Sequence, residues 1–270
     1  MHSFVQIAVI FIILVLGYKK CYNIPMEGNE VEKYKILTVQ DIRNACEFRY
    51  GKDGEMIEVC QMTDELKQGI DQLQKFSRVA TIYGSARFTE DNQDYIQVEK
   101  LAYALAHDLG YAIITGGGGG IMEAGNRGAY RAGGSSIGAT ITLPREQKTN
   151  KYVTDVIPFN YFFTRKVALR YSTEVAIYCP GGFGTLDELF EVVTLIQTKK
   201  MNRIPIILFG TEFWNPIDKI IKTLLVDEYK TISSDERGLY LITDDIDTIL
   251  EIAAAADLKQ IKNGITHSIR

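Results

Sequence analysis

The side chains with the clearest chemical promise lie in two short stretches. In Pro180-Gly181-Gly182-Phe183-Gly184-Thr185-Leu186-Asp187-Glu188 a glycine-rich turn runs into a helical pattern, and Glu188 stands three residues past Thr185. Upstream, Arg165 and Lys166 place two cations side by side. A phosphate gripped by bare backbone N–H groups of the glycine turn would bring its sugar against the Glu188 carboxylate, with a guanidinium close by. Breaking a ribosyl C–N bond builds positive charge at C1′ and negative charge on the departing base. A fixed carboxylate and a fixed cation therefore favour the transition state over the ground state. The carboxylate can also activate the attacking water. Two plainer readings stand beside this one: Thr185 and Glu188 have the spacing of a capping box, and Arg165-Lys166 has the composition of a solvated helix end.

What the chain lacks points the same way. It has three histidines, His2, His107 and His267, two of them at the ends, which disfavours a histidine base or a histidine-rich metal site. Ser85 has no histidine partner in view, so it is expected to donate a hydrogen bond to substrate rather than act as a nucleophile. The four cysteines, Cys21, Cys46, Cys60 and Cys179, show neither zinc spacing nor a disulfide framework. Cys179, just before Pro180, reads as a buried structural thiol. The chemistry above needs no metal and no cofactor, and we expect none. A net charge of −4 argues against a nucleic-acid partner, because neutralising a phosphate backbone takes clustered lysine and arginine.

The elements that must position these residues follow from texture. With 270 residues, 46% of them apolar, the chain can build one main domain and a small appendage. We divide it into an apolar N-terminal segment (1–20), a helical extension (21–77), a catalytic domain (78–260) and a tail (261–270). Residues 4–16 are too short for a comfortable bilayer span and are followed by Lys19 and Lys20. They are expected either to associate with a membrane, leaving the rest cytoplasmic, or to form a non-anchoring extension. From residue 78 onward, apolar runs alternate with amphipathic stretches, the pattern of an α/β fold, a doubly wound, Rossmann-like parallel sheet. Strands are expected at 79–83, 112–115, 136–141, 175–178, 204–209 and 239–242. Helices are expected near 93–109, 120–132, 162–171, 185–198, 216–226 and 246–256.

In such a sheet the ligand crevice lies beyond the carboxyl ends of the strands, where strand order reverses. Three glycine-rich loops fall there: Gly84-Ser85 after the first strand, Gly116 to Gly120 after the second, and Gly181-Gly182 with Gly184-Thr185 after the run 175–178. One such loop is easily just a tight turn, but three on a single rim point to an anion. Gly117 and Gly118 join Gly84, Ser85, Gly181, Gly182, Gly184 and Thr185 as candidate phosphate or substrate contacts. The five consecutive glycines miss the dinucleotide fingerprint, since Ile121 or Glu123 occupies the last glycine place, and no Walker Gly-Lys-Ser/Thr is present.

The stretch Pro180–Glu188 matches the PGGxGTxxE signature of the Lonely Guy (LOG) phosphoribohydrolases. The run Gly116–Met122 resembles that family's GGGxxGxM loop, and Arg165-Lys166 falls where the family carries an Arg-Lys pair. The likeness covers about Val79 to Ala256 and is nearer the longer bacterial members than the short plant type. It implies that Arg165 and Glu188 are the catalytic pair and that Pro180–Thr185 binds the 5′-phosphate. Met122 and Lys166 join the substrate contacts on the same ground. It further implies action on cytokinin riboside monophosphates, AMP or both, and a homodimer or an assembly of dimers. Members have carried a lysine decarboxylase label, but nothing in this sequence resembles a pyridoxal-phosphate lysine site. The rival expectation is a non-catalytic carrier of a nucleotide or of molybdenum cofactor, which proteins of the same fold bind. Gly119 departs from the pattern, standing where bacterial relatives often have proline.

Overall fold

Short, continuously apolar strands must be covered on both faces, and here they are. The computed structural model describes residues 59–142 and 148–262. In chain order the elements are α1 (Val59–Leu73), β1 (Val79–Tyr83), α2 (Gln93–Leu109), β2 (Ala112–Thr115), α3 (Ile121–Arg131), β3 (Ser136–Ile141), β4 (Asp155–Phe159) and α4 (Phe162–Ser172). They continue with β5 (Val175–Tyr178), α5 (Phe183–Gln197), β6 (Ile206–Leu208), α6 (Thr211–Ile220), β7 (Leu241–Ile242) and α7 (Ile246–Lys262). The seven strands form one parallel sheet in the order β4-β3-β2-β1-β5-β6-β7, which is the doubly wound Rossmann-like architecture. Strand order reverses at β1, whose neighbours are β2 and β5, so the switch point falls between β1 and β5.

Alternate residues of each strand serve opposite layers. Ala80 and Ile82 of β1 face α2, α3 and α7, packing with Val98, Leu101, Leu105 and Ile249. Val79 and Ile114 pack on the other side with Leu73, Phe159 and Leu169 under α1 and α4. Tyr178, Leu189, Val192 and Trp214 fill the space under α5 and α6. Helix α2 is closed at both ends as its sequence requires: the Asn92 side chain accepts from the N–H groups of Asp94 and Tyr95, and Gly110 ends it in the left-handed conformation.

Three differences from the sequence reading have identifiable physical causes. Strand β4 was not expected, because Pro158 interrupts its apolar run; it sits at the sheet edge, where a proline costs no ladder bond to a second neighbour. The strand expected fourth is therefore β5. Helix α6 starts at Thr211 rather than at Pro216, because its first N–H groups are capped from afar. Asp244 Oδ1 accepts from Gly210 N at 2.7 Å and from Thr211 N at 2.9 Å. Beyond Ile220 it continues as a π-helix, Ile221–Glu228. Helix α5 begins at Phe183, with Gly182 at its N-cap, so Thr185 lies inside the helix.

The capping-box spacing of Thr185 and Glu188 is thereby coincidental. Within the expected extension, Val59–Leu73 is helical. The apolar run 4–16, the remainder of 21–58 and residues 263–270 of the tail lie outside the described residues. Among the described residues, no helix is long and apolar enough to cross a membrane.

Candidate functional site

The three glycine loops meet at the carboxyl edge of β1, β2 and β5, and one residue ties them together. Ser85 N–H donates to Pro180 C=O at 3.0 Å, while Ser85 C=O accepts from Ile121 N–H at 2.9 Å. This close assembly needs bare backbone. A Cβ on Gly120, whose φ is +65°, would stand 2.3 Å from Ser85 O, and one on Gly84 would meet Ile121 Cγ2 at 2.4 Å. Gly119 is less constrained: its nearest neighbour would be Ala86 O at 3.5 Å, an ordinary contact. The Ser85 hydroxyl accepts from Arg87 N–H at 3.1 Å and keeps its own proton for another acceptor.

A buried polar network holds the loop after β2. Asn126, on α3 and fully buried, accepts from Thr115 Oγ1 at 2.6 Å and from Asn150 Nδ2 at 2.9 Å, and donates to Ser136 Oγ at 2.9 Å. Asn150 also donates to Gly118 C=O at 2.9 Å, and Gly117 N–H donates to Thr115 Oγ1 at 2.9 Å. The Gly117 donor is thus engaged within the protein.

The loop after β5 is arranged differently. Gly182 caps α5 without any side-chain bond, and the first intrahelical bond runs from Leu186 N–H to Gly182 C=O. The N–H groups of Phe183, Gly184 and Thr185 thus point out of the helix start, with the positive end of its dipole behind them. A Cβ on Gly181 would lie 2.2 Å from Thr185 Oγ1, whereas Gly182 and Gly184 have open space around them.

Arg165 and Glu188 converge beside this rim from the adjacent helices α4 and α5. Arg165 Nη2 lies 4.0 Å from Glu188 Oε1, and Arg165 Nε is buried with no acceptor among the described residues. A Cβ on Gly116 would sit 2.7 Å from Met122 Sδ and 3.7 Å from Arg165 Nη1, so Met122 belongs to the same cluster. Glu188 is only 8% exposed. Burial pushes its carboxyl up to about 7, outweighing the attraction of Arg165 and Lys166, with Glu191 and Asp187 adding to the rise. Burial likewise lowers Arg165, against the pull of Glu188 and Tyr83. Arginine starts so high that it remains charged at neutral pH.

Lys166 takes another direction. Its ammonium is 2.9 Å from both Asp187 Oδ2 and Glu191 Oε2, which ties it to the side of α5. Cys179 is fully buried and burial raises its thiol well above the usual range, in keeping with an inert structural cysteine.

Sequence reasoning missed the floor of the site. Tyr83 and Tyr178 are register partners at the ends of β1 and β5, and their rings stack at 4.6 Å with an interplanar angle of 7°. Tyr178 Oη donates to Glu188 C=O at 3.3 Å. Each tyrosine closes its strand shortly before a glycine loop, and that position at a switch point was the available signal. The Asn126 network was missed too, although an asparagine on the buried face of an amphipathic helix marks a polar contact.

The family model described as "Possible lysine decarboxylase" matches residues 122–253. A relative named probable cytokinin riboside 5′-monophosphate phosphoribohydrolase LOGL3, from Oryza sativa subsp. japonica, is 29% identical over 134 residues, covering 48% of this chain and 62% of its own. The match thus spans less than two thirds of that relative. LOGL6 of the same plant, with the same descriptive name, is 25% identical over 205 residues, 74% of this chain and 79% of its own. Among solved structures, a molybdenum cofactor carrier protein from Chlamydomonas reinhardtii aligns at TM-score 0.48 and 22% identity, covering 67% of this chain and 98% of its own. The molybdenum cofactor binding protein of Rippkaea orientalis aligns at 0.48 and 20%, covering 68% and 97%. The sequence matches make the chain similar to the Lonely Guy phosphoribohydrolases.

Proposed function

We propose that the protein hydrolyses the N-glycosidic bond of a purine or cytokinin nucleoside 5′-monophosphate, giving the free base and ribose 5-phosphate. The observation that carries this reading is the buried Arg165–Glu188 pair, held beyond hydrogen-bond distance at 4.0 Å and set next to an open helix N-terminus. The N–H groups of Phe183 to Thr185 receive the 5′-phosphate, assisted by the Ser85 hydroxyl. That placement brings C1′ towards Glu188. Water adds its oxygen to C1′ as the C–N bond breaks, Glu188 takes the water proton, and the departing base carries off the bond pair and takes up a proton. Arg165 stabilises the negative charge that develops on the departing base.

The working unit in this reading is a homodimer. Phe183, 93% exposed, and Phe190 lie on one face of α5, and Phe162 and Phe163 are exposed at the start of α4. Such a concentration of bare aromatic surface beside the site favours a second copy. Sedimentation of the full chain checks it. The activity test is incubation with AMP and with its N6-prenylated counterpart, followed by chromatography for the base. Release of either base supports the reading. Tight binding of nucleotide without release would instead favour a carrier.

A further inference from the structure

Helix α4 carries Arg165, yet its own sequence provides no cap. Its N-cap residue is Tyr161, which makes no side-chain capping bond, and the first turn contains no acidic residue. The missing acceptor comes from α1, a helix that precedes the whole sheet in the chain. Glu65 Oε2 accepts from Asn160 N–H at 2.8 Å and from Asn160 Nδ2 at 2.9 Å. Glu65 Oε1 accepts from Tyr161 N–H at 3.2 Å and from the hydroxyl of buried Thr164. A single carboxylate thus gathers the N–H groups of Asn160 and Tyr161, the Asn160 amide and the Thr164 hydroxyl just where the helix begins, and a negative charge there also complements the helix dipole.

The connection to the site is short. Tyr161, held through its N–H by Glu65, accepts through its C=O from Arg165 N–H at 3.2 Å. Helix α1 is itself seated closely: a Cβ on Gly69 would lie 2.6 Å from the Phe159 ring and 3.4 Å from Ala168 Cβ, so the helix backbone rests on β4 and α4. Leu73 of α1 is fully buried in the core beneath α4.

We infer that Glu65 is a positioning residue for Arg165: α1 clamps the first turn of α4 through this carboxylate and so fixes where the guanidinium stands relative to Glu188. The catalytic consequence rests on the function proposed above. The clamp itself does not.

The test uses the full chain in four forms: wild type, Glu65→Ala, Arg165→Ala and the double variant. Two quantities are measured, release of adenine from AMP and amide hydrogen exchange at Tyr161 and Arg165. Loss of the clamp is expected to lower kcat roughly 10- to 100-fold, the scale set by small misplacements of a catalytic group. It should also speed exchange at the two amides by at least about 10-fold. Because Glu65 acts through Arg165, the double variant should be scarcely slower than Arg165→Ala alone. Additive losses, or exchange at wild-type rates in Glu65→Ala, would overturn the inference. If wild type releases no base, the hydrolysis reading falls while exchange still decides the clamp. Should Glu65→Ala fail to fold, the isosteric Glu65→Gln, which keeps one acceptor oxygen, is read the same way and should shift exchange in the same direction by less.

Discussion

Arg165 and Glu188 face each other across 4.0 Å, too far for a hydrogen bond and near enough for strong attraction, and burial nevertheless moves each towards its neutral form. A pair serving stability alone would close into direct contact. Held apart, both groups keep bonding capacity for something between or beside them. Replacing either with a neutral side chain, as Glu188→Gln or Arg165→Ala, should therefore lower turnover of AMP by at least about 100-fold, the usual cost of one positioned charge. Chromatographic rates checked against wild type decide it, and a normal rate in either variant removes the assigned role.

The elevated Glu188 carboxyl gives the reaction a pH signature. A general base works only when ionised, so kcat/KM for AMP should climb as pH rises through about 7 and level off above it. A profile already flat well below that value would show that this carboxylate is not the base.

The same shift has a stability consequence of opposite sense. A folded-state value near 7 against an ordinary 4.5 means that the native protein holds this proton more tightly than the unfolded chain does. The stability linked to that proton is fully present below the ordinary value and is lost as pH rises through about 7. Glu188→Gln should thus be more stable than wild type at about pH 8, by on the order of 3 kcal/mol, and nearly equal to it at about pH 4. Chemical denaturation at the two pH values measures the difference.

Neighbouring glycines in the loop proposed to hold phosphate should respond differently to the same methyl group. Gly181→Ala drives a Cβ into Thr185, which must move and take the start of α5 with it, whereas Gly182→Ala enters open space at a φ of −96°. Gly181→Ala is expected to raise KM for AMP by about 10-fold or more, as loss of well-made phosphate contacts would. Gly182→Ala should fold normally and lose less. Equal effects in steady-state kinetics would count against the loop geometry.

Asn126 offers a purely structural test. Asn126→Ala takes one buried hydrogen bond each from Thr115, Ser136 and Asn150, and a cost of about 2–3 kcal/mol is expected. Thermal unfolding should register it as a fall of several degrees.

The central strands β1, β2 and β5 were legible because each is a short, largely apolar and buried run with a glycine loop close behind it, as at Ala112–Thr115 before Gly116. The loops that approach Arg165 and Glu188 were legible for the same reason, since consecutive glycines betray close backbone contacts. What escaped depends on partners distant in sequence. Strand β4 was hidden by Pro158, whose tolerance follows only from an edge position that the local sequence does not announce. The start of α6 was hidden because its cap, Asp244, belongs to the loop after β7. The start of α5 was misplaced because a glycine N-cap carries no polar side chain to advertise it. Tyr83 and Tyr178 look like ordinary strand residues until the register of β1 and β5 brings their rings together.

Ser85 bonds with its N–H to one crossover and with its C=O to the next, so the three loops at the sheet edge share a common hinge pin. No single loop can swing away to admit a bulkier molecule without snapping a bond to another. Under the proposed function, discrimination among bases then falls to side chains outside this stiff rim, which can differ while the cradle stays as it is.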